Sequence, residues 1–290
     1  MTHALASRQR GLTLIEAMVV IMLTGIVGAM ASSFIPASLN AYLDQARRGE
    51  MSDQADGALR RMARELQTAL PNSVRVNAAG TYLEFLPVRA AGRYRAAPDN
   101  AGVGNFLDFA STSDDTFDVL GPAVSVSAGD QLVVYNLGLV GADAYAGTSR
   151  RALISTGGAL GTLQYAVAGT QFPYASPNNR FHIVNRPVTY VCAPSNGTTG
   201  TLRRYSGYAT QAAQPTNANA APLSLLSGAN NALLTGTVTA CSFTYNTTSS
   251  ARNAVVTMRL TLTHPPRQGS SATMTESISL LQQVHVESSP

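Results

Sequence analysis

Apolar residues fall into three successive patterns along the chain. Across residues 17–35 nothing is charged, and the run AMVVIMLTGIVGAMASSFI is long enough, at about 1.5 Å per helical residue, to cross a hydrocarbon layer about 30 Å thick. After Pro36 the apolar positions recur at spacings of three and four, at Leu39, Leu43, Ala46, Ala55, Leu59, Met62, Leu66 and Leu70, which predicts an amphipathic helix stopped by Pro71-Asn72. Its other face offers Asp44 with Arg48, Asp56 with Arg60 and Arg61 with Glu65 as i,i+4 pairs. Beyond Asn72, short alternating or β-branched runs predict strands at 81–87, 131–137, 181–184, 187–192, 237–245, 253–263 and 277–286, separated by Gly, Pro, Asn and Ser. In 255–262 apolar and polar residues alternate, so one face suits the helix stripe and the other water.

The expected fold is therefore α+β: a long N-terminal α-helix over 12–70, its first half transmembrane, packed on an antiparallel β-sheet globular domain. The expected divisions are 1–11, 12–36, 37–71 and 72–290. Gly25, Gly28 and Pro36 predict bending or local melting of the helix, with Pro36 as a mere marker of the membrane exit the competing interpretation. The loop 211–221, polar and small, is expected to be a mobile surface.

Composition narrows the function. Charged residues are 12% of the chain and apolar ones 45%, which excludes an acidic disordered protein. The net charge of +4 comes from basic residues that are all arginine and form no long run, so no nucleic-acid partner is expected. Arg8 and Arg10 precede the apolar run with no acid before Glu16, which leaves the short N-terminus cytoplasmic and the bulk of the chain outside. Arg60, Arg61 and Arg64 suit a solvated helix face, with partner contact as the alternative.

Three fates are open for the apolar segment: an uncleaved anchor, a secretory signal, or a leader cut ahead of the run. Ala29-Met30-Ala31 supplies the small-x-small pattern of signal peptidase. It leaves Glu16 unexplained, a carboxylate at the mouth of an otherwise uncharged span, where ionised groups are costly. An acid in the first helical turn also interacts well with the macrodipole, which is the plainer account of Glu16.

The segment Arg10-Gly11-Leu12-Thr13-Leu14-Ile15-Glu16, followed by the apolar run, resembles the leader junction of type IV prepilins and type II secretion pseudopilins. The family more often has Phe where Leu12 stands. The resemblance implies cleavage by prepilin peptidase between Gly11 and Leu12, N-methylation of Leu12, and an assembly role for Glu16, which stands one turn above the new amine and can pair with that of a neighbouring subunit. The stretches 59–66 and 69–76 resemble the J-type minor pseudopilins and the O-type minor pilins of mannose-sensitive haemagglutinin pili, and 117–122 and 284–290 resemble the latter.

The remaining chemistry is sparse. Cys192 and Cys241 lie in expected strands outside the membrane, where a disulfide is the default and two buried thiols the alternative. With His182 and His264 at no ligand spacing, no zinc site is expected. Asp108, Asp114, Asp115 and Asp118 suit either solvated turns or a calcium ion, and match no EF-hand spacing. Ser195 has no nucleophile elbow, and 102–104 and 138–141 lack the Rossmann context, so no enzyme, cofactor or metal is expected. Asn196 and Asn246 open sequon-like triplets that read as chance.

The leading expectation is a non-catalytic minor pilin or pseudopilin. Its partners are prepilin peptidase, other pilins or pseudopilins and the inner membrane, with the globular part periplasmic and then carried into a fibre. The alternative is a pilus-mounted or membrane-anchored, adhesin-like recognition module.

Overall fold

The computed structural model describes residues 11, 13–167, 170–196, 199–246, 253–265 and 275–290. One helix, α1 (Leu14–Leu66), runs unbroken through Gly25, Gly28 and Pro36, so these residues neither melt nor interrupt it. It ends short of the expected stop at Pro71. Thr68 and Ala69 donate to the carbonyls of Glu65 and Leu66, tightening the last turn. The chain then peels away, because the Leu70 N–H donates to the Leu86 carbonyl at 2.8 Å and the Thr68 carbonyl accepts from Val88 at 2.8 Å. Pairing with a distant segment thus overrides the local signal.

Among the described residues α1 is followed by β1 (Arg75–Val76), β2 (Tyr82–Phe85), β3 (Val88–Tyr94), β4 (Thr116–Leu120), β5 (Val124–Ser125), β6 (Gln131–Val134), β7 (Arg150–Ala152), β8 (Ala159–Leu160), β9 (Thr162–Gln164), β10 (Arg180–Val184), β11 (Val188–Ala193), β12 (Thr201–Ser206), β13 (Asn231–Gly236), β14 (Val238–Asn246), β15 (Asn253–His264) and β16 (Glu276–Glu287). They form three main antiparallel sheets, ordered β1-β2-β11-β12-β13, β7-β6-β10-β3-β4-β9 and β14-β15-β16, with β5 and β8 as a small ribbon. The fold is α+β.

Strands β2 and β11 are hydrogen-bonded neighbours, yet everything from β3 to β10 lies between them in sequence and belongs to the second sheet or the ribbon. Residues 88–184 are therefore an insertion into the first sheet. They carry their own core, built on Phe117, Phe181, Tyr94, Tyr165 and Phe172, with the Phe117 and Phe181 rings edge-on at 5.3 Å. The main core lies elsewhere. There the helix stripe of Ala55, Leu59, Met62 and Leu66 packs against Phe85 and Tyr190 of the first sheet and Val256, Met258 and Leu260 of the third. Burial of the stripe begins at Met51; Ala46 is exposed.

Asp56 and Arg60 pair at 2.6 Å, and Arg61 and Glu65 at 3.3 Å, as the helical spacing predicts. Arg48 does not pair with Asp44. Its Nε and Nη2 both donate to Glu276 Oε1, at 3.1 and 3.0 Å, because β16 begins beside this turn of the helix. Glu65 also accepts from Arg204 Nε at 2.7 Å, fastening the helix to the first sheet. Burial works against the Glu65 anion, but the hydrogen bonds from Arg204 and Arg61 hold its carboxyl below the ordinary range.

A buried clasp joins the remaining parts. Glu84, fully buried, accepts from Arg75 Nε at 2.8 Å and from the Tyr208 hydroxyl at 2.8 Å. Arg75 also donates to the carbonyls of Ala212 and Gln211 and stacks 3.6 Å from the ring centroid of Tyr145, a residue of the insertion. Gln214 donates to the Arg75 carbonyl. The loop 211–221 is thus tied to β1 rather than standing free as its composition suggests. Burial pushes the Glu84 carboxyl up, further than Arg75 and Tyr208 pull it down.

Candidate functional site

The N-terminal end of α1 begins at a defined residue. Thr13 is extended (φ −78°, ψ 151°), and its Oγ1 accepts from the Glu16 N–H at 3.4 Å while its carbonyl accepts from Ala17 at 3.1 Å. Thr13-Leu14-Ile15-Glu16 thus supplies the threonine half of a capping box, with the acid in the first turn where the macrodipole favours it. Leu12, on which the expected cleavage and methylation fall, lies outside the described residues.

From Leu14 to Ser32 none of the helix is buried against the rest of the chain, and the span is about 29 Å long at 1.5 Å per residue. Leu14 is 80% exposed and Ile15 70%. A core helix of this composition would cover such a surface with its own sheet; here the sheets begin to cover the helix only near Met51. The hydroxyls inside the span are satisfied within the helix: Thr24 Oγ1 donates to the Val20 carbonyl at 2.7 Å and Ser32 Oγ to that of Ala29 at 2.8 Å. Among the described residues, the Glu16 carboxylate is the polar side chain of the span left without such a bond. In an apolar medium that group needs a cationic or donor partner from another molecule.

Gly11 is exposed, has an ordinary φ, and has open space where a Cβ would stand. Among the described residues nothing there requires glycine. Gly25 and Gly28 are likewise in regular helix with open space around them, which leaves a flat strip where another helix can approach closely.

Residues 6–32 match the family model of the prokaryotic N-terminal methylation motif. The chain is type IV pilin-like at its N-terminus. The match takes in Gly11, Glu16 and the exposed apolar helix and ends at Ser32, the last residue of the membrane-length span. This motif is that of chains processed by prepilin peptidase, and with the apolar helix it marks a membrane anchor. No curated protein and no solved structure matches the chain.

The other residues singled out by sequence are scattered relative to this pilin-like segment. Cys192 on β11 and Cys241 on β14 form a disulfide that ties the first sheet to the third. The four aspartates serve local structure: Asp114 accepts from the Asp108 N–H at 2.7 Å, Asp108 from Ala110, Asp115 from Gln164 and Asp118 from Asn105, and Asp118 forms an ion pair with Arg95 at 3.4 Å. Ser195 Oγ accepts from Thr199 and has no histidine among its hydrogen-bond partners. Among the described residues no group of three or more His, Cys, Asp or Glu side chains is placed to hold a metal. His182 and His264 lie in β10 and β15, in different sheets. Burial, and then Arg180, lower the His182 pKa to about 4. The Arg75–Glu84 clasp is invisible in sequence, since its members are 9 positions apart and the third member, Tyr208, is 124 from Glu84.

Proposed function

We propose that the protein is a minor pilin or pseudopilin, a non-catalytic subunit that enters a fibre of the mannose-sensitive haemagglutinin or type II secretion kind through the exposed half of α1. What carries the reading is that half itself: a bare, membrane-length helix with one unpartnered carboxylate, inside a match to the methylation motif.

The sequence of events follows from the chemistry. The chain sits in the inner membrane with its first residues cytoplasmic and its globular part periplasmic. Prepilin peptidase cuts between Gly11 and Leu12, freeing an α-amino group that is cationic below a pKa of about 8, and Leu12 is N-methylated. Glu16 then meets the amine of an adjacent subunit. Pairing inside a dry helix bundle is strongly favoured over leaving the carboxylate alone, so it fixes the axial register of docking. The inserted layer 88–184 enlarges the globular part, and such a subunit is easier to accommodate at a fibre tip, with nothing stacked above it, than in repeated lateral packing. J-type resemblance points to partners of the same leader class in a priming complex.

Substituting Glu16→Ala tests this. The variant is expected to accumulate in the membrane at the parent level and to be lost from sheared fibres, with Glu16→Gln behaving alike. Unaltered incorporation would count against the register argument. The adhesin-like alternative rests on the insertion, which has a core of its own. Deletion of the protein should abolish fibres if it initiates them; normal fibres with lost adherence would favour the alternative.

A further inference from the structure

Clefts border the insertion on more than one side. One, of about 310 Å³, is lined by Glu65 and Arg204, which neutralise one another at 2.7 Å. Another, of about 370 Å³, is different in kind. It lies on the face of the second sheet opposite the aromatic core, where Arg93 of β3 and Arg180 of β10 stand directly across from one another. The hydrogen bond from the Tyr94 N–H to the Asn179 carbonyl makes the flanking Arg93–Arg180 position a non-hydrogen-bonded pair, in which opposing side chains stand closest. Like charges in that position oppose folding.

Neither guanidinium has a hydrogen-bond or ion-pair partner among the described residues. Two positions along β10 on the same face is His182, half-buried, facing Ala91 across the strand pair. Alanine keeps the floor of the cleft low. Glu287, the last residue of β16, also lines the cleft, and it too has no ion-pair partner among the described residues.

The cleft therefore presents two guanidiniums from directly opposed residues, a neutral imidazole with one donor and one acceptor nitrogen, and a carboxylate. Paired guanidiniums recognise a planar oxyanion. A carboxylate in the same cleft, that of Glu287, disfavours a compact multivalent anion such as phosphate and suits a ligand that also carries hydroxyl donors. We propose that this cleft binds a hydroxylated monocarboxylate of the uronic-acid class, its carboxylate held by Arg93 and Arg180 and its hydroxyls by His182 and Glu287. The site lies between the inserted layer and the end of β16, away from the exposed half of α1.

Isothermal titration of the purified full-length chain, in a nonionic detergent without sugar headgroups, tests the site with D-galacturonate, D-galactose and inorganic phosphate as probes. Galacturonate is expected to bind and galactose not. Arg93→Gln and Arg180→Gln are each expected to weaken galacturonate by about tenfold or more, the loss of one charge-assisted pair. Glu287→Gln should weaken it less. Folding is checked by near-ultraviolet circular dichroism, and the arginine variants are expected to melt no lower than the parent, because each removes a like-charge opposition. In labelled protein the His182 ring resonances should shift on adding galacturonate, which reports on the cleft without any substitution. Absence of galacturonate binding, binding unchanged in both arginine variants, or phosphate binding as tight as galacturonate would each overturn the proposal.

Discussion

Arg75→Met is the perturbation whose size the structure defines best. Methionine keeps the length and apolar stem of the side chain and removes the guanidinium. Glu84 Oε2 then loses a donor at 2.8 Å while its side chain is fully shielded, so at neutral pH the carboxylate keeps only the Tyr208 hydroxyl. Breaking one side of a buried pair in this way costs about 3–5 kcal/mol, or about 6–20 °C of melting temperature for a globular part of this size. The carbonyls of Ala212 and Gln211 lose their donors too, which loosens the loop that Arg75 holds. The double variant Arg75→Met, Glu84→Leu removes the orphaned charge and should recover most of the loss.

The assay is thermal unfolding of the full chain in detergent, followed by tyrosine near-ultraviolet circular dichroism; the sequence has 11 Tyr and no Trp. The pH dependence supplies a second readout. Because the Glu84 carboxyl is raised above its ordinary value of 4.5 in the fold, the folded state holds that proton to higher pH than the unfolded chain does. Its contribution to stability is full below about 4.5 and is lost as pH rises through the raised value. Arg75→Met lifts that value further, so the loss with rising pH should be larger than in the parent and should vanish in the double variant. A single variant within about 1 kcal/mol of the parent, or a double variant no better than the single, would refute the assignment of Glu84 as a buried anion held by Arg75.

Two other outcomes follow from the same structure. Replacing both Cys192 and Cys241 by Ser, or reducing the parent, should lower stability by about 4 kcal/mol on the loop-entropy account, and an unchanged melting temperature under reductant would contradict the bridge. Gly200→Ala should destabilise by about 1–3 kcal/mol even though its φ is ordinary, since a Cβ there collides with the Val238 carbonyl; a melting temperature equal to the parent's would show that this close approach of backbones can relax.

Much of this architecture is legible in the order of residues. The apolar run, the three- and four-residue stripe after it and the strands with period-two patterns are local signals, and β2, β6, β10, β11, β14, β15 and β16 fall where those patterns place them. The buried helix stripe meets Val256, Met258 and Leu260, the inward positions of the alternating run. What the pattern hid is non-local or compositionally mixed. Strand β3 is Val-Arg-Ala-Ala-Gly-Arg-Tyr, β12 Thr-Leu-Arg-Arg-Tyr-Ser and β13 Asn-Ala-Leu-Leu-Thr-Gly, each diluted by arginines or small residues, so propensity gives little sign of any of them. The insertion is a fact of pairing between β2 and β11, which no window of sequence contains. Arg48 followed Glu276 rather than Asp44 for the same reason: the partner arrives from the far end of the chain. At the N-terminus the legible part is chemical rather than conformational. Gly11 and Glu16 stand out by residue type: among the described residues Gly11 has open space around it and the Glu16 carboxylate has no hydrogen-bond partner.

The central claim, that α1 is freed at one end to slot among like helices, is tested most directly by the mass of the intact protein isolated from membranes of cells that carry a prepilin peptidase. The account predicts a chain beginning at Leu12 with one added methyl group. A chain beginning at Ser32, beyond most of the apolar run, or one still carrying Met1, would contradict it.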